Sequence, residues 1–156
     1  MRVRTVAGGL TVNAVAGSYV VVLGLNVDDA LRAGLRGFAI QREDKTEGET
    51  LWMKGMKTFA SVEPHPAAGE TFSSLDHPFQ TFQWADYTAK PGYTYTYNVV
   101  VMTGKPGSLK QGTTVSVTVT TESITADHTI HFNRGAAASQ EYARRFLNRP
   151  PDEVGP

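Results

Sequence analysis

The stretch Ala89-Lys-Pro-Gly-Tyr-Thr-Tyr-Thr-Tyr-Asn-Val99 decides the fold class of this chain. It contains a Pro-Gly pair, which is typical of a turn, and continues with tyrosine and threonine in strict alternation. Because successive side chains of a strand point to opposite faces, Tyr93, Tyr95 and Tyr97 are predicted to share one face. Such alternation is typical of an antiparallel strand with one buried face and one wet face.

The same pattern recurs on both sides of this stretch. The segment Val115-Ser-Val-Thr-Val119 alternates apolar and polar residues, and the chain contains 18 threonines and 16 valines, whose β-branched side chains favour strands. Glycine and proline predict a long surface connection at 61–78 and a loop at 104–112. Strands are predicted at residues 1–6, 10–16, 18–27, 35–42, 50–59, 79–84, 93–102 and 113–121. Their number and spacing predict an all-β, antiparallel two-sheet sandwich.

The composition changes after Thr121. Residues 126–132 predict one more short strand, and the alanine-rich segment 136–146 predicts a helix that Pro150 and Pro151 terminate. A helix of this length is marginal alone in water, so it needs a surface, either the sandwich or a neighbouring domain. We therefore expect a sandwich over 1–123, a strand-helix junction over 124–149 and a linker over 150–156.

Charge and composition bound the function. The 156 residues contain 15 Lys+Arg and 15 Asp+Glu, so the net charge is zero. Nucleic-acid binding is not predicted, because the broad positive surface of such proteins is missing. No apolar run reaches the roughly 20 residues of a membrane span. The first residues also lack the apolar core of a secretory signal peptide, which favours a cytoplasmic location.

The turn and strand at 89–99 resemble the fibronectin type III pattern, in which a Pro-Gly turn precedes a tyrosine corner. The resemblance implies a fibronectin type III or immunoglobulin-like sandwich in which Tyr95 is the corner tyrosine. Its hydroxyl is expected to bond back to the backbone of the turn. Tyr97, Val99 and Val101 are expected to point inward with it.

A second resemblance covers most of the chain. Asp127-His-Thr-Ile-His-Phe-Asn-Arg-Gly-Ala-Ala-Ala-Ser-Gln-Glu-Tyr-Ala-Arg-Arg-Phe146 looks like the junction ahead of the catalytic domain in bacterial phospholipase D-like proteins. Three segments are similar to the amino-terminal region of the same proteins: Gly37-Phe-Ala-Ile-Gln-Arg42, Gly48-Glu-Thr-Leu-Trp-Met-Lys54 and His77-Pro-Phe-Gln-Thr-Phe-Gln-Trp84. The resemblance implies an accessory domain of a phosphodiesterase, with Tyr142, Arg145 and Phe146 as contacts to the catalytic domain of the same polypeptide.

The catalytic motif of that superfamily is missing from these residues. Phospholipase D-like enzymes use His-x-Lys-x4-Asp motifs, in which one histidine attacks phosphorus and lysines hold the phosphate charge. None of the four histidines, His65, His77, His128 and His131, has a lysine two positions later. We therefore predict no catalytic residue, metal site or cofactor in this chain, and the chemistry is expected after residue 156.

The same sequence also fits a different class of function, a binding module. Aromatic residues cluster between Phe79 and Tyr97, and an exposed aromatic row binds carbohydrate or a protein partner. Phe82 and Trp84 share one parity and are expected in the core, whereas Tyr93 lies at the turn and is expected to be exposed. The alternative to an accessory domain is therefore a free-standing binding module that uses Tyr93 or Trp84.

Overall fold

The computed structural model describes residues 1–124, 142–147, 149–150 and 153–154. A four-residue helix, α1 (Asp29–Arg32), follows the third strand. In chain order the strands are β1 (Arg2–Ala7), β2 (Leu10–Ala16), β3 (Val21–Val27), β4 (Gly37–Asp44), β5 (Thr50–Trp52), β6 (Lys54–Gly55), β7 (Phe72–Ser73), β8 (Gln83–Asp86), β9 (Thr94–Lys105) and β10 (Ser108–Thr120).

The strands form two four-stranded antiparallel sheets, which confirms the predicted all-β sandwich. The first sheet has the order β1-β2-β3-β8 and the second has the order β10-β9-β4-β5. A small third sheet pairs β6 with β7. The inward residues of both main sheets form one core, because most of the alternate, inward-facing side chains of the strands are apolar. Its largest fully buried members include Leu10, Leu23, Phe38, Ile40, Tyr95, Tyr97, Val99 and Val101.

Tyr95 fixes the turn that precedes β9. Its hydroxyl accepts a hydrogen bond of 2.9 Å from the backbone N–H of Lys90, five residues earlier, which is the geometry of a tyrosine corner. The side chain is 1% exposed. The Thr121 hydroxyl donates to the carbonyl of Lys90 at 2.6 Å, so the same turn is also tied to the end of β10.

The two lateral sides of the sandwich differ. On one side β1 packs against β10, and the Thr113 hydroxyl donates to the carbonyl of Gly8 at 3.3 Å. On the other side lie the edge strands β8 and β5, which belong to different sheets and do not pair with each other. The sandwich is therefore closed along β1 and β10, and open between β8 and β5.

Two predicted boundaries are wrong. The expected loop at 104–112 is mostly strand, because β9 continues to Lys105 and β10 begins at Ser108. Gly104 and Gly107 adopt positive φ values that allow so tight a hairpin, and a register shift between Gln111 and Thr114 absorbs Gly112. The expected strand at 50–59 divides into β5 and β6 and ends at Gly55.

The connection between β6 and β7, residues 56–71, is the long loop of the molecule. His77 holds its base, because the Nδ1 atom of this buried side chain accepts a hydrogen bond of 3.1 Å from the backbone N–H of Phe59. Ser74 anchors the following segment to β4, accepting from the N–H of Ile40 and donating to its carbonyl. The long loop is thereby tied to the second sheet.

The carboxyl-terminal predictions are covered only in part. Residues 142–146 are helical, whereas the predicted strand at 126–132 and the first part of the predicted helix lie outside the described residues. In the part of the chain that the structure describes, no helix has the length and apolar character needed to cross a membrane.

Candidate functional site

A groove of about 530 Å³ opens on the side of the sandwich between β8 and residues 53–55. Its volume lies in the range of about 300–1,000 Å³ that is typical of ligand sites. Residues 53–55, which include β6, line one wall, and residues of β8 line the other. The groove therefore runs along the free edge of the first sheet, next to the small β6–β7 sheet. Its lining residues are Met53, Lys54, Gly55, Phe79, Thr81, Gln83, Trp84, Ala85, Asp86, Tyr87 and Thr88.

Aromatic rings form the apolar part of this groove. Trp84 is half-buried and stacks on Phe79, with 5.2 Å between ring centroids and 29° between ring planes. Gly55 allows the Phe79 ring to approach, because a Cβ atom at that position would lie 2.8 Å from Phe79 Cε1. Trp84 therefore lines the groove while also packing against the core.

A buried ion pair lies at the end of the groove. Arg42 of β4 donates through one terminal nitrogen to Asp86 Oδ2 at 2.9 Å and to the Thr88 hydroxyl at 2.7 Å. The Tyr97 hydroxyl donates to the same Asp86 oxygen at 2.8 Å. The other Asp86 oxygen accepts from the backbone N–H and the hydroxyl of Thr88 at 2.8 and 2.6 Å. Since Asp86 belongs to the first sheet and Arg42 to the second, this pair connects the two layers.

Burial and charge determine the ionisation of this cluster. Burial disfavours the charge on Arg42, but the Asp86 carboxylate and its hydrogen bond outweigh burial and raise the pKa of Arg42 above its ordinary value. Burial, and then the Asp86 charge, raise the pKa of Tyr97 far above its usual range. Tyr97 consequently keeps its proton and acts as a donor. The Arg42 Nε atom is buried without a hydrogen-bond partner among the described residues.

Tyr93, the other predicted ligand aromatic, lies outside the groove. It is half-buried, and its hydroxyl donates to Glu47 Oε1 at 2.8 Å. Lys90 contacts both Glu47 oxygens at 2.6 and 2.8 Å and lies 5.1 Å from the centre of the Tyr93 ring. Tyr93 thus belongs to a charged surface cluster, and the structure does not bring it together with Trp84.

Glu47 is expected to make folding sensitive to acid. The hydrogen bonds from Lys90 and then Tyr93 lower the pKa of Glu47 below its ordinary value of 4.5. Its contribution to stability is therefore present above that value and is lost as the pH falls through the lower, folded-state pKa. Chemical unfolding at several pH values should show a shallower acid-induced loss of stability in Glu47→Gln than in the unchanged chain. Glu63→Gln is the control, because the Glu63 carboxylate makes no ion pair among the described residues. It should leave the dependence of the free energy of unfolding on pH unchanged.

Phe82 is exposed, which contradicts the prediction that it is buried with Trp84. Its side chain is 45% exposed, because β8 begins only at Gln83 and Phe82 lies at the rim of the sandwich. There its ring makes an edge contact with Phe38, with 5.5 Å between centroids. Together with Leu35, Arg36 and Phe59 it lines a small cavity of about 180 Å³.

The helical residues 142–146 pack on the long loop. Ala143 is 2% exposed, and a Cβ atom added at Gly69 would lie 2.8 Å from the backbone nitrogen of Arg144. The rings of Tyr142 and Phe146, predicted to share a face, lie 5.0 Å apart, and both residues are half-buried, whereas Arg145 is exposed. The Tyr142 hydroxyl donates to the carbonyl of Arg149 at 2.7 Å.

The long loop also contacts the hairpin that joins β9 and β10. A Cβ atom added at Gly107 would lie 3.6 Å from Val62. A cavity of about 550 Å³ lies between the two segments, lined by Val62, Leu75, Asp76, Met102, Gly107, Ser108, Leu109 and Gln111. The structure thus brings parts of the two predicted connections together, although β7 interrupts the segment 61–78 and most of 104–112 is strand.

Within the described residues, no three His, Cys, Asp or Glu side chains are grouped so as to hold a metal ion. His128 and His131 lie outside those residues. No protein-family model matches the chain, and a search of curated proteins finds no match either.

Proposed function

We propose that this chain is a non-catalytic accessory module of a bacterial phospholipase D-like phosphodiesterase, and that the catalytic domain follows it in the same polypeptide. The module positions the catalytic domain, which binds one end of the sandwich. The sequence resemblance at 127–146 and in three upstream segments suggests the identity of the partner. The contacts described below support the docking role.

The contact between residues 142–147 and the long loop is the observation that carries this proposal. A short helix gains little stability from its own hydrogen bonds and depends on packing. Here Ala143 is buried and Arg144 lies against Gly69, so the segment that leads out of the described chain has a defined place on the sandwich. A domain attached after it would begin beside the long loop.

The surface around the long loop suits a partner. Val62 is 45% exposed and Met56 is 39% exposed, and both belong to this loop. The cavity beside the β9–β10 hairpin adds a concave region lined by Leu75, Met102 and Leu109. Exposed apolar residues next to a concave surface are typical of a protein interface. We call this surface, formed by the long loop and residues 105–108, the docking end.

Phosphodiesterase activity tests the proposal. The isolated chain and the full gene product are to be compared on bis-p-nitrophenyl phosphate at equal molar concentration. We expect hydrolysis by the full product and none above the buffer rate by residues 1–156. Hydrolysis by the isolated chain, or a gene that ends at Pro156, would contradict the proposal.

Gly69→Ala is expected to release residues 142–147 from the long loop. The added Cβ atom would meet the backbone of Arg144 at 2.8–2.9 Å, and backbone atoms cannot yield as a side chain does. Hydrogen exchange followed by mass spectrometry should show about tenfold faster exchange at 142–147, which corresponds to about 1.4 kcal/mol.

Gly48→Ala is a matched control for this variant. Gly48 has a φ value of +77° against +76° for Gly69, but no atom lies within 4 Å of its added Cβ. Both variants therefore carry the same backbone strain, of roughly 1–2 kcal/mol, and only Gly69→Ala has the clash. Equal exchange at 142–147 in the two variants would show that the helix does not depend on this contact.

A further inference from the structure

We propose that β8 is a strand-addition site, at which an extended acidic peptide pairs with the free strand edge and places an apolar side chain in the groove beside Trp84. This binding function does not depend on the accessory role proposed above. Three features of the groove carry it: the direction of the backbone groups of β8, the residues at its edge and the charge of its lining.

The backbone of β8 has one unused side. Among the described residues β8 pairs only with β3, and the carbonyl of Phe82 accepts a hydrogen bond from the N–H of Leu25. Because backbone groups alternate in direction along an antiparallel strand, Trp84 and Asp86 also bond to β3, whereas Gln83 and Ala85 point away from it. The Thr81 hydroxyl donates to the carbonyl of Gln83 at 2.7 Å. The N–H and carbonyl of Ala85 project from the edge of the sheet.

This edge lacks the features that usually prevent pairing. Sheet edges are commonly protected by lysine, proline, a bulge or a covering element. The sequence of β8 is Gln-Trp-Ala-Asp, and its single charge, Asp86, is buried and paired with Arg42. The opposite edge of the same sheet, β1, carries Arg2 and Arg4 and packs against β10. Of the two edges of the first sheet, β8 alone therefore carries no accessible charge within the strand.

The groove indicates what kind of chain would fit. In strand addition the main chain supplies hydrogen bonds, and alternate side chains enter pockets that give specificity. An apolar side chain of the added strand would lie against Trp84, Phe79 and Met53. Since Arg42 neutralises Asp86, the accessible charge of the lining is that of Lys54, which makes no ion pair among the described residues. Charge complementarity therefore favours an acidic peptide and disfavours a basic one.

Selection from a phage-displayed library of random linear peptides tests this inference. The whole 156-residue chain serves as bait, and Ala85→Pro and Ala85→Val are compared with it. Proline removes the outward N–H of Ala85, which β3 does not use, and is tolerated on edge strands. We expect enriched peptides to alternate apolar residues and to carry net negative charge. Ala85→Pro should lower their recovery at least tenfold, whereas Ala85→Val should retain it.

Circular dichroism will show whether Ala85→Pro folds. If it does not fold, Lys54→Glu provides a second test. This charge reversal should shift the selected peptides from acidic to basic. The proposal is overturned if no peptide is enriched, if Ala85→Pro recovers the same peptides equally well, or if the selected peptides have the same charge with Lys54 and with glutamate at that position.

Discussion

Asp86→Ala should lower the free energy of unfolding by about 3–5 kcal/mol, because it removes the buried partner of the Arg42 charge. The second partner of Arg42, Glu49, lies 3.5 Å away and its side chain is 57% exposed. The side chain of Asp86 is fully buried, and that of Arg42 is 9% exposed. The same carboxylate also accepts hydrogen bonds from Tyr97 and Thr88. The substitution therefore also leaves the buried Tyr97 hydroxyl without its acceptor.

Two further variants separate the charge from the hydrogen bonds in urea unfolding at neutral pH. Tyr97→Phe removes one donor and keeps the ion pair, so it should cost only about 1 kcal/mol. The double variant Arg42→Met with Asp86→Leu leaves no buried charge and should recover most of the stability that Asp86→Ala loses. A cost below about 1 kcal/mol for Asp86→Ala would contradict the inferred role of this pair in joining the two sheets.

Gly37→Ala should destabilise the fold to a similar degree, by about 2–6 kcal/mol, since roughly 1–3 kcal/mol of backbone strain adds to a similar cost of overpacking. Gly37 begins β4 at a φ value of +135°, which L-amino acids rarely adopt. An added Cβ atom would lie 2.5 Å from the carbonyl oxygen of Phe79. The clash would push Phe79 away from β4 and break the bridge in which the backbone N–H groups of Phe38 and Phe79 each donate to the carbonyl of the other residue.

Gly34→Ala is the control for this substitution. Gly34 lies three residues earlier with a φ value of +80°, and no atom lies within 4 Å of its added Cβ. This variant should cost only the strain of a left-handed residue, roughly 1–2 kcal/mol. Thermal unfolding of the two variants will distinguish them, and equal melting temperatures would contradict the close approach of Phe79 to Gly37.

The fold class was predictable because the alternation of apolar and polar residues can be recognised within single strands. Alternation at 93–97 and 115–119 fixes which residues face inward, and Tyr95, Tyr97, Val99 and Val101 are buried as this pattern requires. Boundaries were less predictable because they depend on distant contacts. Phe82 has the parity of a buried residue, yet its side chain is 45% exposed at the rim of the sandwich, one residue before β8 begins.

The site was predicted only in part, because it combines residues far apart in the sequence. Trp84 was selected as an aromatic, but the groove beside it requires Met53 and Phe79, which come from other segments. The Arg42–Asp86 pair was missed, although its signal is present. Arg42 shares the parity of Phe38 and Ile40, and Asp86 shares that of Trp84. Opposite charges on the inward faces of two strands predict a buried ion pair.

Hydrogen exchange on the full gene product, compared with the isolated chain, tests the proposed docking end most directly. We expect slower exchange of backbone amides at residues 56–71 and 105–108 in the full product. Exchange at the Lys90–Gly92 turn, which Tyr95 and Thr121 fix within the sandwich, should be unchanged. Equal exchange of the long loop and the hairpin in both proteins would contradict the claim that this end of the sandwich binds a following domain.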